Sequence, residues 1–321
     1  MSSTEELFII DTDTGVDDAI AILQMIAAKK SGKVKLLCIT AVAGNCSSND
    51  AVQNICRVLD TVNVHDVPVY RGATESIVSS FDPVAKFHGN DGFNDVPFEH
   101  EPNMSRVQDD FAWKVISDLS KEYPQLINVV AIGPLTNIAL AMKFDPELST
   151  RLKTLFIMGG NIEGIGNVSE AAEFNFHADP EAASIVLRLT RCPTYIASWE
   201  LCLKYTSINM KWRSEVLGSM KKPAADLINK LEEIWFNDWP FGENWILCDQ
   251  LAMVAALNRN SIKKNSQHFA QVELKGDLTR GMMVLDQRHQ RESSKPRNNV
   301  IIIEELDQQC IMDQMRDAFN Q

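Results

Sequence analysis

The chain has 321 residues, of which 45% are hydrophobic and 23% are charged. These proportions are typical of a folded globular protein and exclude a disordered or collagen-like chain. Its 31 Lys and Arg residues against 43 Asp and Glu residues give a net charge of -12, which would repel nucleic acids and anionic membrane surfaces.

The cysteine pattern and the first residues predict a reduced, soluble protein. Seven cysteines occur without a C-x-x-C pair, which fits neither a disulfide framework nor a zinc site. Residues 1–6 carry two acidic groups and no basic one, and the apolar run 7–10 is too short for a signal peptide. No run approaches the roughly 20 apolar residues of a membrane span. We therefore expect a cytoplasmic location.

Apolar runs bounded by turn residues alternate with segments of helical period along most of the chain. In chain order, this predicts strands at 7–10, 35–40, 126–132, 152–158, 194–197 and 300–303, and helices at 17–30, 48–62, 134–143, 179–191 and 306–319. Such alternation indicates an α/β fold with an open, mainly parallel, Rossmann-like sheet and helices on both faces. Residues 271–274 and 282–286 predict a C-terminal antiparallel hairpin.

The chain shows no internal repeat and no linker long enough to separate domains, so we expect a single domain over 1–321. Segments 72–107 and 200–247 fit the alternating pattern least. Long excursions in an α/β sheet usually cover the carboxyl ends of the strands, where ligands bind. We expect both segments to lie over the functional site.

Four carboxylates stand where the first strand runs into a helix, in the segment Asp11-Thr12-Asp13-Thr14-Gly15-Val16-Asp17-Asp18. Two like charges about 4 Å apart repel by about 1 kcal/mol in water and about 4 kcal/mol at a protein-like dielectric, so the cluster requires protons or a cation. Oxygen ligands alone favour a hard ion, Ca²⁺ before Mg²⁺. In a simpler interpretation, Asp17 and Asp18 only complement the dipole at the helix N-terminus, while Asp11 and Asp13 point to solvent.

Two enzyme families place such an acidic loop after an apolar strand. In phosphatases of the haloacid dehalogenase type, Asp11 would be the nucleophile and Asp13 the acid/base. Their pattern D-x-D-x-[TV] requires Thr or Val where this chain has Gly15, and it gives Asp17 and Asp18 no role.

The loop more closely resembles the D-x-D-x-G-x-D-D opening of the nucleoside hydrolases, the inosine-uridine type N-ribohydrolases. Further segments resemble that family in the same order along the chain: Ala43-Gly44-Asn45, His88-Gly89, Gly133-Pro134-Leu135-Thr136-Asn137, Met158-Gly159-Gly160, Ala172-Glu173-Phe174-Asn175, Asp179-Pro180-Glu181-Ala182-Ala183 and Asp249. One such segment is weak support, but the whole series in the same order predicts membership.

The resemblance implies a catalytic Ca²⁺ site. Its ligands would be Asp13, Asp18, the main-chain carbonyl of Thr136 and Asp249. Asp17 would act as general base on a water whose pKa the ion lowers, Asn45 would lie near that water, and Asp11 would support the site. No covalent intermediate is required.

The resemblance also implies that Asn167, Glu173 and Asn175 bind the ribose, which Asp17 and Asp249 also touch. Further candidates for substrate binding are Met158, His88, Cys248 and Trp245. In an extended segment, Glu173 and Asn175 would face one side and reach one ribose. Trp235 and Trp239 are further candidates for stacking on the base, although Trp at helical spacing often belongs to a core.

The pattern departs from the best-known branches of the family at Cys248, where some members carry His before the final Asp. A thiol with a reference pKa near 8.5 is a poor general acid for a leaving base. In the alternative interpretation, Cys248 has no chemical role and is a packing residue. The sequence therefore predicts a Ca²⁺-dependent nucleoside hydrolase acting on a small-molecule nucleoside, with homodimers or homotetramers implied by the family. A nucleoside sensor without turnover and a phosphatase are the alternatives.

Overall fold

The structure is a computed structural model that describes residues 5–78, 86–204, 208–236, 240–288 and 298–321. Its strands are β1 Glu6–Thr12, β2 Val34–Ala41, β3 Val69–Arg71, β4 Val107–Gln108, β5 Ile127–Ala131, β6 Thr154–Met158, β7 Thr194–Ala197, β8 Ile262–His268, β9 Ala270–Val272, β10 Met283–Leu285 and β11 Val300–Leu306. Its α-helices are α1 Val16–Lys30, α2 Ser48–Thr61, α3 Ala112–Glu122, α4 Thr136–Phe144, α5 Leu148–Arg151, α6 Phe174–Ala178, α7 Pro180–Leu189, α8 Trp199–Lys204, α9 Met210–Trp212, α10 Pro223–Glu232, α11 Asp249–Leu257 and α12 Gln308–Phe319. None of the helices in these ranges has the length and apolarity that a bilayer crossing requires.

Nine strands form one sheet in the order β4-β3-β2-β1-β5-β6-β7-β11-β8. Every neighbouring pair is parallel except β11 and β8, which are antiparallel. Strands β9 and β10 form a separate antiparallel pair. The predicted mainly parallel sheet and the predicted C-terminal hairpin are therefore both confirmed.

The central strands are buried because helices cover both faces of the sheet. Every residue of β5 and β6 is buried, and their sequences INVVA and TLFIM are almost wholly apolar, as a strand covered on both faces requires. One hydrophobic cluster joins α1, α2, α10, α11 and α12 to one face. A second cluster joins α3, α4 and α7 to the other face.

Three strands of the main sheet, β3, β4 and β8, were not predicted. The first two have only three and two residues, too few to show a periodic pattern. The third, IKKNSQH, is polar because it lies at the edge of the sheet and pairs only with β11. Lysines at an exposed edge oppose pairing with another chain, so polarity at this position is physically consistent with a strand.

Candidate active site

A cavity of about 180 Å³ lies at the carboxyl ends of the central strands. Four neighbouring strands each lead to one lining residue: Asp17 in the first turn of α1 after β1, Asn45 after β2, Ile132 after β5, and Met158 at the end of β6. This is the edge at which open α/β sheets bind ligands. Further lining residues come from both long excursions, namely Phe87 and His88 from the first and Glu232, Trp235, Phe241, Trp245 and Ile246 from the second, so both excursions cover the site as expected.

The acidic loop after β1 holds an uncommon backbone conformation. Thr14 has a φ of +28°, in a region that β-branched residues rarely adopt. Its amide donates to Thr12 Oγ1 at 3.1 Å, and Asn54 Nδ2 donates to its carbonyl at 3.1 Å. Asp18 Oδ2 accepts from the Gly15 amide at 2.9 Å and so begins α1. These bonds stabilise the strained turn that directs the carboxylates inward.

Three carboxylates converge at one end of the cavity, its floor, two of them lining it and the third, Asp18, buried behind them. One oxygen each of Asp17, Asp18 and Asp249 lies within 4.8 Å of the other two. Burial and the charge of Asp17 raise the pKa of Asp18 to about 7. Burial and the same charge hold the pKa of Asp249 well above its ordinary value. Such a cluster is stable only with protons or a cation, as the sequence predicted.

Asp13 lies beside this cluster in a cradle of glycines. A Cβ on Gly133 would lie 2.8 Å from Asp13 Oδ1, and one on Gly44 would overlap Oδ2 outright. Oδ2 accepts from the Asn45 amide at 2.6 Å, whereas Oδ1 is buried without a hydrogen-bond partner among the described residues. Burial and the charge of Asp18 hold the pKa of Asp13 well above its usual range.

These observations fit a hard metal ion. The donors are carboxylate oxygens, and one oxygen of Asp13 and one of Asp17 are buried without a hydrogen bond in the described part of the chain. A Cβ on Gly44 or Gly133 would meet the carboxylate of Asp13, so the two glycines keep the space beside it free of side chains. A divalent cation would satisfy the unpartnered oxygens and stabilise the ionised carboxylates.

Asp11 lies behind the site and does not line the cavity. Its Oδ1 accepts from the Thr40 hydroxyl and from Asn137 Nδ2, the latter at 2.8 Å. Burial raises the pKa of Asp11 to about 7 in spite of these bonds. A carboxyl enclosed in this way cannot attack a substrate, so the geometry removes the nucleophile that the phosphatase alternative requires.

His88 connects the covering loop to the acidic loop. Its Nδ1 accepts from the Val16 amide at 3.2 Å, so the proton of the neutral ring is on Nε2, 3.4 Å from Asp17 Oδ1. Burial lowers the pKa of His88, although Asp17 acts in the opposite direction. The ring also packs edge-on against Trp235, with centroids 5.5 Å apart. His88 therefore contacts both the acidic floor and the aromatic wall.

The structure brings Asn167, Glu173, Asn175 and Met158 to one side of the cavity, but not through an extended segment. The carboxylate of Glu173 accepts from the amides of Asn175 at 2.9 Å and Phe176 at 3.2 Å, and thereby begins α6. The expectation of an extended segment was therefore wrong. Burial raises the pKa of Glu173 to about 7. Asn175 Nδ2 donates to the carbonyls of Ile132 at 3.1 Å and Met158 at 3.2 Å.

Thr136 does not line the cavity. It is the first residue of α4, and its hydroxyl donates to Asp179 at 2.7 Å. A carbonyl at that position is directed along the helix towards its carboxyl end. Ile132, which the sequence did not single out, does line the cavity, and Gly133 after it adjoins Asp13.

The opposite wall is aromatic and contains one acid that sequence reasoning missed. It includes Trp199, Trp235, Phe241, Trp245, Cys248 and Glu232. Trp245 and Cys248 were expected here, whereas Trp239 lies outside the described residues. A hydrogen bond with Cys202 and burial hold the pKa of Cys248 well above its usual range, so the thiol stays protonated. The sequence did contain an indication that Glu232 is buried. It lies one helical turn after the buried Ile228, on the same face of α10.

Comparisons with known proteins point to one family. Residues 8–313 match the sequence model described as inosine-uridine preferring nucleoside hydrolase. A probable uridine nucleosidase 2 of Oryza sativa is 40% identical over 184 residues, 57% of this chain and 53% of that protein, so the chain spans about half the length of this relative. The pyrimidine-specific ribonucleoside hydrolase RihA of Shigella flexneri is 29% identical over 96% of both chains. A solved inosine-guanosine nucleoside hydrolase superposes with a TM-score of 0.89 at 28% identity, covering 98% of this chain and 99% of that one.

Proposed function

Because the chain belongs to the inosine-uridine preferring nucleoside hydrolase family, we propose that it hydrolyses the N-glycosidic bond of ribonucleosides and releases ribose and a free base. The observation that carries this proposal is the cavity itself. Its floor holds converging carboxylates, one side is polar, and the other side is aromatic. Carboxylates stabilise the positive charge that develops on a ribosyl ring as the bond to the base breaks.

The ion we propose is Ca²⁺, held by Asp13, Asp18, Asp249 and one main-chain carbonyl. Oxygen donors in a loop suit Ca²⁺ better than the stricter octahedron of Mg²⁺. We assign the carbonyl to Ile132 rather than to Thr136, because Ile132 lies at the cavity directly before Gly133, which adjoins Asp13, whereas the carbonyl of Thr136 is directed along α4. Such an ion would make a nearby water molecule more acidic.

We propose Asp17 as the general base that takes the proton from the attacking water. It is the one residue of the acidic loop that lines the cavity, and its Oδ1 accepts no hydrogen bond within the described ranges. General base assistance contributes about 10² to 10⁴ in rate. Asp13 is the second candidate, since its Oδ1 is also unpartnered. Asn45 lines the cavity and donates to the carboxylates of Asp13 and Asp18, so it would orient the water.

The two sides of the cavity divide the substrate between them. We assign the ribose to the side formed by Asn167, Glu173, Asn175 and Met158, where polar groups can bind hydroxyls. We assign the base to the side formed by His88, Trp245 and Cys248, where an aromatic ring can stack. The relatives differ in the bases that their names give, so the family alone does not fix the base.

The test is ribose release, measured by a reducing-sugar assay, from inosine, adenosine, guanosine, uridine and cytidine with and without a chelator. Release that the chelator abolishes and Ca²⁺ restores is the expected result. Asp17→Asn should lower kcat by at least about hundredfold while calorimetry still detects Ca²⁺ binding. The exposed Asp277→Asn is the matched control and should leave both unchanged. Normal turnover by Asp17→Asn would exclude Asp17 as the base and make Asp13→Asn the next variant.

A nucleoside sensor without turnover is the second candidate function. It is favoured by the chemistry of the base side, where the raised pKa makes the Cys248 thiol a weak acid and burial, by lowering the pKa of His88, favours the neutral ring, which has no imidazolium proton to give. Saturable nucleoside binding by calorimetry with no product after long incubation would support it.

We also propose that the protein is a cytoplasmic homodimer or homotetramer, as the family resemblance implies. Light scattering after size-exclusion chromatography tests the oligomeric state. Fractionation of the cells that express it tests the location.

A further inference from the structure

A fully buried ion pair lies behind the aromatic side of the cavity. Arg213 and Glu232 are 0% and 1% exposed, and Arg213 Nε donates to Glu232 Oε2 at 2.7 Å. Arg213 Nη1 donates to Asn229 Oδ1 at 2.9 Å, and the guanidinium lies 4.6 Å from the ring centre of Phe319. Removing two charges from water costs several kcal/mol per ion, and apolar residues of similar volume often stabilise a protein equally well. Packing alone therefore does not account for this pair.

Glu232 reaches the same cavity as Asp17. Its Oε1 accepts from Trp245 Nε1 at 3.2 Å, and its Oε2 accepts from Arg213. An ionised carboxylate offers about four acceptor positions, and these two bonds occupy half of them. Burial raises the pKa of Glu232 above its ordinary value, whereas the adjacent guanidinium and the two N–H donors favour the ionised form. Both oxygens of Glu232 accept hydrogen bonds in this arrangement, so the geometry presents it as an acceptor. The carboxylate is thus fixed at the cavity wall with capacity for a further N–H donor.

We propose that Glu232 accepts a hydrogen bond from the ring N–H of the nucleobase and so selects ribonucleosides of oxo bases, namely 6-oxopurines and uracil. This inference rests on the proposed function. The acidic floor fixes the ribose end of the substrate, and the wall that contains Glu232, Trp245 and Cys248 then faces the base. A lactam N–H is the donor that such bases present on their edge. Adenine and cytosine present a ring nitrogen lone pair next to their amino group, which a carboxylate repels.

Arg213 is a positioning residue in this arrangement. It bonds Glu232 from behind, and its guanidinium lies 5.6 Å from the ring centre of Trp245, the second residue that holds the carboxylate. The carboxylate is therefore oriented before a nucleoside enters, so little ordering is required when the base binds.

The experiment compares kcat/KM for inosine, 1-methylinosine and adenosine. Methylation removes the N–H, and a hydrogen bond to a charged group corresponds to about ten- to hundredfold in kcat/KM. The unmodified protein should therefore prefer inosine to 1-methylinosine by at least about tenfold. Glu232→Gln keeps the shape of the side chain and loses the charge, so it should lower kcat/KM for inosine about tenfold and change that for adenosine by less than about threefold. Glu233→Gln, at the neighbouring exposed position, is the matched control and should change neither.

The outcomes separate this inference from the proposed function. Equal hydrolysis of inosine and 1-methylinosine by the unmodified protein would overturn the inference and leave the hydrolase intact, and this comparison requires no variant. If Glu232→Gln keeps the full preference against 1-methylinosine, the discrimination is steric and the inference is also overturned. Absence of hydrolysis for every nucleoside overturns both.

Discussion

The buried carboxylates should make the metal-free protein less stable as the pH rises, and removal of metal with a chelator is the perturbation that tests this. The clearest group is Asp18. Burial and the charge of Asp17 raise its pKa from 3.8 to about 7. The unfolded chain ionises this carboxyl near pH 4, whereas the folded chain keeps it protonated up to about pH 7. Its contribution to stability is therefore fully present below about pH 4 and is lost as the pH rises through about 7.

The size of the effect follows from the shift. One pKa unit corresponds to about 1.4 kcal/mol, so a shift of roughly three units is on the order of 4 kcal/mol for Asp18 alone. Asp13 and Asp249, whose pKa values are also raised, act in the same direction. Since 1 kcal/mol corresponds to roughly 2 °C of melting temperature in a chain of this size, the melting temperature should fall by several degrees between pH 5 and pH 8.

The assay is thermal and urea unfolding at pH 5, 6, 7 and 8 with a chelator and with excess Ca²⁺. The ion binds ionised carboxylates, so Ca²⁺ should stabilise most at pH 8 and remove or reverse the pH dependence. Asp18→Asn is the informative variant. Its amide oxygen can accept from the Gly15 amide and Asn45 Nδ2, and its NH₂ can donate to the Thr12 hydroxyl, so the native bonds are retained.

Without metal at pH 8, Asp18→Asn should be more stable than the unmodified protein, and its stability should change less with pH. It should also gain less from Ca²⁺. Two results would refute the reasoning: a chelated protein that is as stable at pH 8 as at pH 5, or an Asp18→Asn variant that Ca²⁺ stabilises as strongly as the unmodified chain.

Three further changes test individual contacts of the site. His88→Asn can retain the hydrogen-bond acceptor at the position of Nδ1 but loses the contact with Asp17. We expect kcat/KM to fall about fivefold while the melting temperature stays unchanged. A melting temperature that falls together with kcat/KM would indicate a purely structural role. Gly44→Ala places a Cβ against the carboxylate of Asp13, which should lower the free energy of unfolding by about 1 to 3 kcal/mol and weaken Ca²⁺ binding in calorimetry. An unchanged affinity for Ca²⁺ would show that the glycine is not needed to position Asp13 for the ion. Cys248→Ser should leave the pH profile of kcat unchanged, whereas a loss of about hundredfold or more would identify the thiol as the general acid after all.

The parts of the site predicted from the sequence are those attached directly to a strand. The apolar run 7–10 predicts β1, a parallel sheet exposes its carboxyl ends at one edge, and the acidic residues follow at once. Asn45 and Met158 follow from the same logic at β2 and β6. In each case the distance from strand to side chain is a few residues, so the position of the strand nearly determines the position of the group.

The aromatic side of the cavity could not be predicted in this way. Glu232 and Trp245 lie in a long excursion, and Arg213, which orients Glu232, is 19 residues away from it along the chain. No sequence motif links the segment 211–213, which contains Arg213, with the segment 231–233, which contains Glu232. The packing of α10 in the folded chain brings the two segments together. Glu173 shows a related limit, since its spacing with Asn175 permits an extended segment and a helix start equally.

The geometry also explains how four carboxylates in one loop can have different roles. Asp11, Asp13 and Asp18 are fully buried, so each requires a proton, a hydrogen bond or an ion to be stable. The side chain of Asp17 remains 25% exposed and faces the cavity, where water solvates a carboxylate. An ion bound by Asp13 and Asp18 would neutralise their charge and leave Asp17 as the negative group that meets the substrate. Metal binding and the availability of a base are then two consequences of one difference in burial along the segment 11–18.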